Sequence, residues 1–375
     1  MRESEVLVVG LGAMGSAALY HLAKDGVAPT GIEQFSMGHD RGSSYGHSRA
    51  FRSLYHEPVY TRLVEASIPL WGDLEAESEE RLLNLNGIAM FAREGNADLQ
   101  TKIDVMEEVG SPYELLSSRE VTERFPGLVP PADTVTCFTP RAGFVDAGRC
   151  VSSHVTQATR RGATVLDNVP VTGIELAGDR PEVVCENDRI RCERLVVAAG
   201  PWAAHLLADL DLSLRVTRQQ KFYFSPKNPD LYRPEQLPVY ADFEKQFYGF
   251  PLHGSGIKVA DDGLGPEVSP DNVDRTLDVS TQEALADWVH TILPEADATF
   301  VSGSTCMYTL TPDRDFIIGF HPHHPNVLIA AGFSGHGFKF STLVGRILAD
   351  LATAGETAYP IDRFRLDRFT EHTSR

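Results

Sequence analysis

A chain of 375 residues is too long for one simple core and fits two domains, or one large α/β domain interrupted by an insertion. Apolar residues make up 42% and charged residues 23%, ordinary values for a globular chain, while 34 basic against 52 acidic residues leave a net charge of −18. Such a field repels nucleic acid and anionic lipid, so the expected partners are small molecules.

No window approaches the length of a membrane span. Met1-Arg2-Glu3-Ser4-Glu5 leads straight into an apolar strand, without the basic stretch, apolar run and small-residue site that mark export. The cysteines (Cys137, Cys150, Cys185, Cys192 and Cys306) are scattered, odd in number and not paired as metal ligands, which fits reduced thiols. A cytoplasmic location is expected.

The first predicted element is Val6-Leu7-Val8-Val9-Gly10, a β-branched run that reads as a parallel strand buried on both faces. A helix is predicted from Ala13 to Lys24, and Gly10-Leu11-Gly12-Ala13-Met14-Gly15 lies at the joint. Gly10 permits the tight turn, Gly12 lets backbone approach a pyrophosphate, and Gly15 allows close packing; Ala13 and Met14 open the helix whose N-terminus faces the anion. Glu33 closes the next strand, Thr30-Gly31-Ile32-Glu33, about 20 residues on, where a carboxylate takes ribose hydroxyls and disfavours a 2′-phosphate. The motif alone does not separate NAD from FAD.

The small-residue loop Gly42-Ser43-Ser44-Tyr45-Gly46-His47-Ser48 then presents Arg49 and Arg52, and an arginine holds a carboxylate through two parallel bonds. Pro126 to Pro131 reads as a surface loop. Leu195 to Gly200, followed by Trp202, repeats the design of the first strand. Alternating aromatic and polar residues in Lys221-Phe222-Tyr223-Phe224, Val239 to Phe243, Phe247 to Phe250 and Gly256 to Val259 predict half-buried antiparallel strands of a second domain, and Gly263 to Pro270 reads as a loop. A third buried strand, Val327 to Gly332, precedes Gly335-His336-Gly337-Phe338-Lys339 and a helix from Phe340 to Ala354. The glycines around His336 are expected to form a backbone nest with partial positive charge.

A dinucleotide domain whose supporting strands lie near residues 195 and 327 is assembled from distant pieces, which favours FAD over NAD. The layout resembles the glutathione-reductase-like superfamily. The predicted fold class is α/β: a discontinuous FAD-binding domain (1–84, 145–218 and 315–375) with an inserted antiparallel-sheet substrate domain (85–144 and 219–314).

Ser304-Thr305-Cys306-Met307-Tyr308-Thr309-Leu310-Thr311-Pro312 and the stretch from Ala330 to Lys339 carry a closer similarity. With these motifs the chain resembles, over nearly its whole length, the monomeric sarcosine oxidase and N-methyltryptophan oxidase family. The resemblance implies FAD attached through an 8α-S-cysteinyl bond to Cys306. It places Arg49 against the flavin ring, with Ser48 in place of the usual threonine. Ser44, Gly200, Trp202, Gly335, Gly337, Phe338 and Lys339 become further cofactor contacts, while Tyr248 and Tyr308 sit in the substrate pocket. Arg52 and Lys339 become the clamp on the substrate carboxylate. Lys258, which follows Tyr248-Gly249-Phe250-Pro251, becomes the cation that assists oxygen reduction. Lys258, Arg49, Tyr248 and Tyr308 are thus the expected catalytic group, with no metal.

The activity so implied is oxidation of a secondary, N-methylated amino acid to an imine, then aldehyde and amine, with hydrogen peroxide as the other product. Partners are then the amino acid and oxygen, and the protein a monomer. Oxidation of a cyclic imino acid, a different electron acceptor, and a flavin-containing binding subunit are the alternatives. Two residues depart from the family pattern: Tyr45 and Asp262 stand where histidines are usual.

Overall fold

The computed structural model describes residues 2–369. Its first sheet has a parallel core in the order His324–Ala331, Arg189–Val197, Arg2–Val9, Thr30–Ile32, Thr164–Leu166. The three apolar runs that end in glycine are therefore neighbours: Leu195 pairs with Leu7 on one side and Val327 on the other. Strands Val171–Glu175 and Glu182–Cys185 extend the sheet antiparallel beside the first half of Arg189–Val197, and Ile317–His321 adds an outer antiparallel strand.

Both faces of that core are covered, as uninterrupted apolar strands require. Val6, Val8, Val196 and Leu328 pack on the side of helices Ala13–Lys24 and Ser341–Thr353, while Leu7, Val9, Leu195 and Ile329 form a second cluster on the opposite face. Each such side chain contributes about 1.5–3 kcal/mol on burial. The two helices touch through glycine: a Cβ on Gly345 would lie 2.4 Å from a backbone carbon of Ala17.

A second eight-stranded sheet runs in the order Ala296–Leu310, Arg215–Pro226, Gly256–Asp261, Phe247–His253, Val239–Asp242, Ile88–Arg93, Thr134–Thr139, Glu114–Ser117. Its neighbours are antiparallel except Val239–Asp242 beside Ile88–Arg93. Helix Val279–Ile292 covers one face by packing Leu285, Trp288 and Val289 with Phe222 and Phe224.

Lys221-Phe222-Tyr223-Phe224 was predicted to be half-buried, yet Lys221 and Tyr223 are 4% and 5% exposed while Phe222 and Phe224 are fully buried. The more polar face of the strand is covered by the loop that follows the dinucleotide turn, with the Lys221 ammonium over the Tyr45 ring. A three-stranded sheet of Arg49–Phe51, Gly143–Val145 and Leu83–Asn84 lies where the chain passes between the two large sheets. Among the described residues no helix is long and apolar enough to cross a membrane.

Candidate active site

The joint between Arg2–Val9 and the first helix has the geometry its glycines require. Gly10 adopts a φ of +88°, and a Cβ there would come 2.6 Å from the Ala198 carbonyl oxygen. A Cβ on Gly15 would meet the Gly10 carbonyl oxygen at 1.8 Å, so that glycine serves packing and does not line the adjacent cleft. Gly12 is the N-cap and offers no side chain to the first turn, leaving a helix end suited to an anion. The Ser44 hydroxyl accepts the Ala13 N–H at 3.0 Å. The Glu33 carboxylate, just past Thr30–Ile32, accepts the Leu11 N–H at 2.9 Å and the Phe35 N–H at 3.2 Å, which fixes it beside the turn.

From this joint a cavity of about 490 Å³ extends toward the second sheet. Gly10, Gly12, Ala13, Met14, Glu33, Ser44, Arg49, Gly200, Trp202, Cys306, Gly335, Gly337 and Phe338 all line it, as does Tyr308. Gly15, Ser48 and Lys339, also expected to contact the cofactor, are not among its lining residues. Its shape, glycine cradle, helix N-terminus and fixed acid fit a dinucleotide. Among the described residues no group of His, Cys, Asp or Glu is arranged to hold a metal ion.

The loop before Arg49 is fastened to the strand that carries Cys306. Ser43 donates to the Met307 carbonyl at 2.7 Å, and the Tyr45 hydroxyl donates to the Thr305 carbonyl. Arg49 donates to the carbonyls of Ser48, Ser43 and Tyr45 at 2.8, 2.9 and 2.8 Å, and its guanidinium lies 5.8 Å from the Phe338 ring centre. Cys306 pairs with Gln219 across the strands and is partly exposed toward the cavity.

Lys258 is buried, with its ammonium 2.7 Å from the Ser48 carbonyl oxygen, 3.2 Å from the Ser48 hydroxyl and 4.0 Å from the Phe250 ring centre. Burial, then the nearby Arg49 and Lys221, hold it well below the usual lysine range. The carbonyl and hydroxyl acceptors act in the opposite sense, because they favour the charged donor.

A separate basic group gathers around Tyr55. Lys339, 3% exposed, donates to the Tyr55 hydroxyl at 2.8 Å and to the His336 carbonyl. Arg52 stacks 4.5 Å from the Tyr55 ring centre and donates one hydrogen bond, to the Leu54 carbonyl at 2.8 Å. Burial, then Arg52, lowers the Lys339 ammonium, and burial pushes the Tyr55 phenol up to about 12. Tyr55 was not singled out in the sequence: it lies three residues beyond Arg52, and nothing in that spacing shows that it meets a residue near the other end of the chain.

Tyr248 and Tyr308 interact through their hydroxyls, and burial raises both phenols. The Tyr308 ring rests on Gly335, where a Cβ would fall 2.6 Å from it. Asp262 follows Gly256–Asp261 and is exposed; partial desolvation by the protein around it raises its carboxyl against the lowering pull of Arg52 and Lys339. A second residue missed in the sequence is Lys221, whose buried ammonium has no hydrogen-bond acceptor. Its signal was the alternation that puts it on the same face as Tyr223.

A dinucleotide cleft roofed by a second sheet, with Arg49, Tyr45 and Tyr308 in its wall, is the architecture of a nucleotide-cofactor enzyme that works on a small bound molecule. The FAD dependent oxidoreductase family model matches residues 5–351, and the chain belongs to that family. Monomeric sarcosine oxidase of Streptomyces avermitilis is 38% identical over 96% of both chains. N-methyl-L-tryptophan oxidase of Citrobacter koseri is 28% identical over 98% of this chain and 99% of its own. The solved open form of NikD, described as an unusual amino acid oxidase essential for nikkomycin biosynthesis, superimposes with a TM-score of 0.86 at 26% identity, covering 97% of this chain and 98% of that one. The similarity inferred from the Cys306 and His336 segments therefore extends along the whole chain.

Proposed function

We propose that this FAD-dependent enzyme oxidises N-methylated and related secondary amino acids, with its flavin tethered to Cys306 and oxygen as electron acceptor. The pairing of Arg52 and Lys339 across Tyr55 carries the reading. Two cations about one buried phenol, one keeping guanidinium donors without an acceptor among the described residues, make a receptor for a carboxylate. Tyr248 and Tyr308 stay uncharged at neutral pH and offer hydroxyls and ring faces to a neutral amine.

Bound FAD supplies the two-electron acceptor for the carbon beside the amine nitrogen. Arg52 and Lys339 orient the substrate by its carboxylate, and the buried aromatic surroundings exclude water from the reacting carbon. Lys258 and Arg49 place positive charge beside the cleft, where it favours reduction of oxygen to an anion. Amine, oxygen and water then give aldehyde, primary amine and hydrogen peroxide in balance. The thiol of Cys306, on the cavity wall beside the loop that precedes Arg49, is the group available for the tether. The names of the relatives support N-methyl amino acids as the substrate class and a monomeric protein, for which we propose a cytoplasmic location. The two large sheets support a division into a cofactor domain of 1–84, 145–218 and 315–375 and a substrate domain of 85–144 and 219–314.

Peroxide release measured aerobically over a panel of N-methylated and cyclic amino acids tests the activity, and silence across the panel with a yellow protein would refute it. In the same preparation acid-precipitated protein keeps its yellow colour, whereas Cys306→Ala protein releases it. Retention by the alanine variant places the attachment elsewhere.

A further inference from the structure

Lys221 lies in the middle of the roof strand Arg215–Pro226, between Ser304 of one neighbouring strand and Ala260 of the other. It is 4% exposed, and its ammonium nitrogen has no hydrogen-bond partner. The nitrogen sits 4.0 Å from the Tyr45 ring centre and against Gly46, where a Cβ would come within 2.8 Å of it. Tyr45 and Gly46 both line the cofactor cavity, so one side-chain-free residue and one ring separate this amine from the cleft.

The groups around it are unbalanced in charge. The loop on one side brings Arg49, Tyr45 and Asp40; the neighbouring strands bring Cys306 and Lys258; its own strand brings Tyr223; and Arg275 reaches in toward Thr305. Asp40, the one carboxylate of that set, is largely exposed and therefore screened. Arg49 and Lys258 satisfy their charge with carbonyl oxygens, and Lys221 has none. Burial without a hydrogen-bond partner favours the neutral form of an amine, and a negative charge entering the same site reverses that preference.

We propose that Lys221 is a charge-compensating residue that takes up a proton from solvent when the bound cofactor is reduced and returns it on reoxidation. The inference rests on the flavoenzyme reading above, and its balance is one solvent proton bound to the amine for each increment of negative charge in the cleft. Burial, then Arg49, brings the lysine down to about 7, so near neutral pH the amine is poised to gain that proton. Lys258 lies in the same field but has acceptors that already favour its charged form.

Proton uptake measured with an indicator dye during anaerobic photoreduction of the holoprotein tests this without turnover. The parent protein is expected to bind up to one proton per flavin more than Lys221→Met at a pH of about 8.5, the excess vanishing near about pH 6, where the amine is protonated beforehand. Lys221→Gln serves if the methionine variant does not fold, and the pH dependence in the parent stands as a measurement by itself. Equal uptake by parent and variant at all pH values, or an excess lost in Lys258→Met but kept in Lys221→Met, overturns the proposal. A yellow, amine-bleachable protein giving those results leaves the proposed function intact, whereas a colourless protein defeats both.

Discussion

Arg49 and Lys258 commit their donors to the carbonyls of residues 43–48, whereas Arg52 and Lys339 meet at one phenol and leave guanidinium donors open. Both groups are basic, but the first is complete without a ligand and the second is not. Self-satisfied cations supply a standing field; incompletely satisfied ones supply a binding site. The difference follows from backbone position, since the loop folds around Arg49 and Lys258 reaches it from the facing sheet. Arg52 projects beyond the end of its short strand, Arg49–Phe51.

The largest expected effect comes from removing a standing charge. Lys258→Met should slow flavin reoxidation about a hundred-fold or more while reduction by the amine changes little, as seen in separate stopped-flow half-reactions. Parallel loss of both halves would erase the distinction between the two basic groups. Arg52→Met should lower kcat/KM for a carboxylated amine about thirty- to a hundred-fold, chiefly through KM, and leave the reoxidation rate unchanged. The smallest effect is expected at Asp262, whose raised carboxyl opposes the pull of Arg52 and Lys339. Asp262→Asn should tighten inhibition by a simple carboxylic acid about two- to five-fold at neutral pH, scaled as an exposed charge. Because the folded state raises this carboxyl, its cost is present at neutral pH and fades as pH falls through the raised value. The advantage of the variant should therefore shrink in acid; an advantage that grows there would mean that Asp262 acts through something other than its charge.

The cofactor half of the molecule was legible because its signals are local. Gly10 to Gly15 and Glu33 need only a strand, a turn and a helix start, and the runs at 195 and 327 advertise burial on both faces. The pocket was legible in part, since the meeting of Arg52 with Lys339 came from resemblance and has no short-range signature. Tyr55 lies outside any strand and meets its partner Lys339 only through the tertiary fold, whereas Lys221 was missed for a reason of pattern. Period-two alternation tells which side chains share a face, but not whether that face meets water or another domain. Lys221 carries the pattern of a solvated strand lysine and lies under a loop some 175 residues earlier in the chain.

The fastening of Ser43 and Tyr45 to the carbonyls of Met307 and Thr305 has a kinetic consequence. These bonds stitch the strip beside the dinucleotide turn to the strand bearing Cys306, so that two parts of the cavity wall are joined. A cofactor entering between those two parts would have to pass before the stitch closes. A mature molecule stripped of its flavin would have to open locally before accepting another.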